Sequence, residues 1–114
     1  MADSMVYIDM ADGVKRVMNN VKLYVKLLTK FRDDSKADDI EAALAAGDME
    51  KARSAVHTLK GVAANLSLVE LFKQSLELET QIKAGAVNPA QIETVKTVFT
   101  ATIQEVNKVI AENG

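Results

Sequence analysis

One proline and five glycines are the main interruptions of a helical pattern that otherwise runs through all 114 residues. Apolar side chains recur at steps of three and four, the period of helices that bury one face. No segment alternates apolar and polar residues strongly enough to compete as a strand. Asp9 to Met18 reads as a short helix, with Asp9 as its cap, Ile8 packing back on the first turn, and Val14, Val17 and Met18 on one side. Asn19-Asn20 interrupts it or caps the next helix. Val21, Tyr24, Leu27, Leu28 and Phe31 then form one stripe, and Arg32 to Lys36 is polar enough for a bend. Asp38 to Ala46 continues with Ile40, Ala43 and Leu44, as the second half of a bent helix or as a helix of its own.

Gly47-Asp48 is a stop followed by a cap. Beyond it Met49, Ala52, Val56, Leu59, Ala63 and Leu66 trace the seam of a bundle helix over residues 48–66. Ser67 and Glu70 have the spacing of a capping box, and Leu66 and Leu71 that of a hydrophobic staple, so the next helix is expected from Leu68. Its stripe is Leu68, Leu71, Ser75, Leu78 and Ile82, ending at Gly85. Asn88-Pro89-Ala90-Gln91 repeats the start signal, with a staple of Val87 and Ile92. Ile92, Val95, Phe99, Thr102, Val106 and Val109 or Ile110 face inward, and Glu112-Asn113-Gly114 is expected to fray. The fold class is therefore all-α: an antiparallel four-helix bundle with an additional short N-terminal helix. The length suits one domain, residues 1–114, with roughly two-thirds of the open chain's surface buried.

Composition removes several kinds of chemistry. There is no cysteine, so thiolate nucleophiles, disulfides and cysteine-ligated metals are out. A single histidine cannot build a multi-histidine metal site, and no intrinsic cofactor is expected. Fourteen basic against sixteen acidic residues lack the cationic excess usual in nucleic-acid binders. No apolar run approaches the length of a membrane span, and Met-Ala-Asp-Ser lacks the features of a signal peptide. No membrane insertion and a cytoplasmic location are expected.

The one histidine, His57, points roughly 130° away from the seam of its helix at 100° per residue. Lys60 and Ala64 lie on the same side, and Gly61 is one turn further on. A neutral imidazole, the main form of histidine above about pH 6.5, has one ring nitrogen with a free lone pair. That nitrogen can attack phosphorus in line with a leaving oxygen, provided that its face is open. Gly61 and Ala64 leave the adjoining turns almost bare, and Lys60 can offset phosphoryl charge. Gly inside a helix costs about 0.5–1 kcal/mol relative to Ala, which access to His57 or close helix packing would have to offset. On helical phase alone, His57 and Lys60 read equally as ordinary surface residues.

The string His57-Thr58-Leu59-Lys60-Gly61-Val62-Ala63-Ala64-Asn65-Leu66-Ser67 resembles the signature of histidine-containing phosphotransfer (HPt) domains, His-x-Leu-Lys-Gly followed by small and apolar residues. Gly47-Asp48 before that helix, Leu71, Ser75, Leu78-Glu79, Lys83 and Gly85 after it, and Gly13-Val14, Tyr24, Leu27, Leu28 and Phe31 near the start extend the resemblance over nearly the whole chain. Two positions depart from it: Ser67 stands where Gly is usual, and Ser75 where a small apolar Ala is common; at position 79, Glu here, some members carry Gln.

The resemblance implies a phosphorelay intermediary without kinase or ATPase activity of its own. His57 would be the phosphoacceptor, Lys60 would stabilise the phosphoryl group, and Gly61 would keep the site open. The implied partner is a response-regulator receiver domain, which would bring the acidic pocket and the divalent metal; a hybrid histidine kinase is a second candidate. Ala64, Phe72 and Leu76 are candidates for the docking surface, with edge-of-core packing the alternative for Phe72 and Leu76. Glu79 either binds the second ring nitrogen of His57 or is an ordinary solvated residue. Two other readings stand beside this one: a helical adaptor that transfers nothing, and a phosphorylation domain excised from a larger histidine kinase.

Overall fold

A computed structural model of the chain describes residues 7–34 and 37–113. The Met-Ala-Asp-Ser start, Ser35-Lys36 of the expected bend and Gly114 of the expected frayed end lie outside the described residues. Those described form six helices and no strand: α1 (Met10–Arg16), α2 (Val21–Asp34), α3 (Ala37–Ala45), α4 (Met49–Asn65), α5 (Val69–Ala84) and α6 (Pro89–Asn113). The choice between one bent helix and two falls on residues 35–36, outside the described residues, with α2 ending before them and α3 beginning after them.

The starts are set by side-chain caps. Asp9 accepts from the Asp12 amide at 3.1 Å, Asn20 from Leu23 at 3.0 Å, Asp48 from Lys51 at 3.0 Å and Asn88 from Ala90 at 2.9 Å. Each oxygen satisfies an amide that has no partner inside its helix. Gly47 and Gly85 supply the left-handed residues, at φ +76° and +71°, that stop α3 and α5.

The apolar stripes meet in a helical bundle. α4 packs along α5, α5 against α6 and α6 against α2, while α3 lies on α4 and touches α6. Tyr24, Leu28, Val56, Leu68, Leu71, Leu78 and Val106 are fully buried. Each buried Leu or Val contributes about 1.5–3 kcal/mol over an exposed one. Phe31 of α2 meets Phe99 of α6 edge-on, 5.9 Å between ring centres.

Several expectations fail at helix ends. Val21 and Met49 begin their stripes in sequence but are exposed; each is the first residue of its helix. Met18 does not share a side of α1 with Val14 and Val17: it follows the end of that helix in a left-handed turn with Asn19 and is 87% exposed. Val98, absent from the expected stripe of α6, is buried.

Ser67 is the most informative correction. It does not cap α5: Leu68 occupies the cap position without a side-chain bond, and Glu70 lies 3.5 Å from Lys73 instead. Ser67 closes α4 in the left-handed conformation, φ +56°. The Leu68 amide reaches Ala63 O and the Ser67 amide reaches Ala64 O, the paired bonds of a Schellman turn. That position favours glycine, which gives a physical reason for the Gly usual in HPt sequences. The Ser67 hydroxyl donates to Asp12 of α1, and Ser67 O accepts from the Asp9 amide. At the α6 start, Gln91 does not reach back to Asn88, whose amide donates to Gln81 Oε1; Gln91 Nε2 donates to Gln74.

Candidate functional site

α4 presents His57 on the side away from its seam, with 68% of the side chain exposed. The caps and packing fix this phase: Asp48 starts the helix, and Ala52, Val56, Leu59 and Ala63 turn inward. The neighbouring α5 brings Glu79 beneath the imidazole. One carboxylate oxygen, Oε2, lies 2.9 Å from His57 Nδ1, and the other, Oε1, accepts from Lys60 Nζ at 2.6 Å. Glu79 is thus no solvated residue: its side chain is only 3% exposed. Lys83, one turn on, holds its ammonium 3.9 Å from the same carboxylate.

The hydrogen bond from Lys60 holds the Glu79 carboxyl below the usual carboxylate range; the bond to His57 and the charges of Lys60 and Lys83 act in the same direction, against the burial that opposes them. Glu79 is therefore ionised at neutral pH. An ionised carboxylate only accepts, so hydrogen-bond chemistry assigns the ring proton to Nδ1. Nε2 then carries the lone pair, and it has no hydrogen-bond partner among the described residues. With Lys60 and Lys83 against Glu79, the fixed charges beside it sum to about +1.

A Cβ built on Gly61 would meet no atom within 4 Å. Close helix packing, the alternative reason for this glycine, therefore finds no support. Side chains in a helix lean toward its N-terminus, so any side chain at position 61 would lean toward His57, one turn earlier.

The remaining candidates are spread over two helices. Ala64 is half-buried on α4. Phe72 is half-buried on α5 and packs against the core, while Leu76 is 42% exposed. Phe72, Leu76, Glu79 and Lys83 follow steps of four, three and four and share a face of α5. Lys60 is only 21% exposed, more enclosed than an ordinary surface lysine. Lys83 was named in sequence only as part of a resemblance; its four-residue step from Glu79 is the signal that could have singled it out. No group of three acidic or histidine side chains among the described residues could hold a metal ion.

The Hpt domain family model matches residues 26–108, so the chain belongs to the Hpt domain family. That membership implies histidine phosphotransfer in phosphorelay signalling, through interaction with receiver domains; Hpt domains are phosphotransfer modules without kinase activity of their own. No curated protein and no solved structure matches the chain. Among the described residues, no helix is long and apolar enough to cross a membrane.

Proposed function

We propose that His57 exchanges a phosphoryl group with the aspartate of a receiver domain, in the cytoplasm, on an antiparallel four-helix bundle of α2, α4, α5 and α6. The observation that carries this reading is the shared carboxylate: Glu79 holds His57 Nδ1 with one oxygen and Lys60 with the other, and Nε2 stays open to solvent.

The step balances without a base. The Nε2 lone pair forms the N–P bond, the P–O bond to the aspartyl carboxylate breaks, and that carboxylate leaves with the electron pair. Nδ1 keeps its proton throughout. The ring becomes cationic as the N–P bond forms, and the Glu79 carboxylate against Nδ1–H stabilises that charge. Lys60 and Lys83 offset the phosphoryl oxygens. In the reverse step Nε2 is the leaving group, and the retained Nδ1 proton makes it a better one. The divalent metal and the acidic pocket belong to the receiver.

Ala64, Phe72 and Leu76 border the approach to His57 from the α5 side. Incubation with a panel of phosphorylated receivers tests the reading. Phosphoryl transfer to the wild type and none to a folded His57→Gln protein is the expected result; equal transfer to both refutes it. An adaptor without phosphotransfer would take no phosphoryl group from any receiver or histidine kinase.

A further inference from the structure

α1 has seven residues, about half the length an isolated helix needs to hold in water, so its place is set by what it touches. Its seat is the elbow between α4 and α5, together with Tyr24 of α2. The Asp9 amide donates to Ser67 O at 2.9 Å, and the Ser67 hydroxyl donates to Asp12. Gly13 lies against the Tyr24 ring: a Cβ there would be 2.3 Å from Tyr24 Cε1. The ring has no room to yield, since Tyr24 is fully buried and its hydroxyl donates to Leu66 O at 2.7 Å. None of these contacts requires α1 and its seat to belong to one chain; only the turn between α1 and α2 ties them together. In that turn Met18 and Asn19 are both left-handed, at φ +59° and +60°. Asn accepts this backbone more readily than most residues, whereas in Met the Cβ crowds the following carbonyl. Met18 gains no burial in return, since it stands in solvent. The turn therefore holds strain that the closed chain keeps only because α1 is seated.

We propose that this turn is a strained hinge and that α1 exchanges between two copies of the chain, each α1 seated on the α4–α5 elbow of the other copy. No proline lies between Met10 and Asp34, so with Met18 and Asn19 in ordinary helical backbone α1 runs on into α2 as one helix. Regular helical bonds then replace those of the turn, in which the Asn19 amide reaches Val14 O and the Asn20 amide reaches Val17 O. The exchange is reciprocal and closes at two chains. Every contact of the seat is made once per chain in both forms. The difference between them lies in the hinge, whose strain favours exchange, and in the entropy lost on association, which opposes it. Concentration then sets which form is populated. His57 lies nearly three turns before Ser67 on α4, clear of the seat, and the proposal is independent of the phosphotransfer reading.

The test uses the wild type, Met18→Gly/Asn19→Gly, in which the closed turn is relaxed, and Asn19→Val, in which a β-branched residue makes that turn harder to hold. Each protein is refolded at a series of concentrations up to its solubility limit, and sedimentation equilibrium reads the monomer–dimer constant. The expected result is a wild-type dimer that grows with concentration, with an association constant about tenfold lower in the glycine variant and about tenfold higher in Asn19→Val. Refolding isotope-labelled and unlabelled wild type together shows which chain supplies each α1. Isotope-filtered NMR should then give a contact between the Gly13 α-protons and the Tyr24 ring that crosses chains in the dimer and stays within the chain in the monomer. A wild type that is monomeric at every concentration overturns the proposal. So does a dimer in which the Gly13–Tyr24 contact stays within each chain, or one whose association constant is the same in the glycine variant. Should Asn19→Val fail to fold, the wild type and the glycine variant carry the same decision.

Discussion

Gly61 separates stability from function with unusual clarity. It lies inside α4, away from both ends, and a Cβ placed on it touches nothing within 4 Å. Gly61→Ala therefore adds neither a clash nor a contact, and only the backbone term remains. Relative to Ala, an interior helical Gly costs about 0.5–1 kcal/mol. Gly61→Ala is expected to stabilise the protein by that amount, a rise in Tm of roughly 2–4 °C for a domain of this size. Gly61→Leu keeps nearly all of the gain, because Leu is also a good helix former. Its side chain would lean toward His57, however, where a receiver has to close on Nε2. The account thus expects opposite signs in one protein: a higher melting temperature by calorimetry and a lower transfer rate from a phosphorylated receiver. If Gly61→Leu melts below wild type, the open space at this position is not what the helix experiences. If it melts higher and transfers phosphate at an unchanged rate, access is not the reason for the glycine.

Four further outcomes rest on particular contacts. Lys60→Ala strands the buried Glu79 carboxylate and should cost about 1–2 kcal/mol in urea unfolding, more than an ordinary surface lysine, besides slowing transfer; a loss near zero would mean that Lys60 does not hold Glu79. Ser75 Oγ is buried with no hydrogen-bond partner, so Ser75→Ala should stabilise by about 1 kcal/mol, and a loss of stability would show that the hydroxyl has found one. With position 67 left-handed, Ser67→Gly should be more stable than Ser67→Ala by about 1 kcal/mol; equal melting temperatures would contradict that turn. The Glu79 carboxyl titrates lower in the folded chain than in the unfolded one. Its contribution is therefore complete above the ordinary carboxylate range and lost as pH falls through the folded value. Wild type should lose more stability on acidification below about pH 4.5 than Glu79→Gln does, and parallel acid profiles would refute the linkage.

What the sequence made legible was local. Asp9, Asn20, Asp48, Asn88 with Pro89, Gly47 and Gly85 mark helix ends through groups within a few residues of one another, and the structure keeps them. The phase of α4 placed His57 away from the core for the same reason. Ser67 was misread because Ser-x-x-Glu is a local pattern, whereas its actual partner, Asp12, lies 55 residues away. The position of Glu79 in the sequence was informative, but its engagement depends on the register between α4 and α5, which no single helix encodes.

The central claim concerns one nitrogen atom, and site mapping tests it most directly. After brief exposure to a competent phosphorylated receiver, mass spectrometry should find one added phosphoryl group, on His57, lost in acid and retained in alkali as a phosphoramidate bond requires. A phosphoryl group on any other residue, or an acid-stable one, would contradict the account.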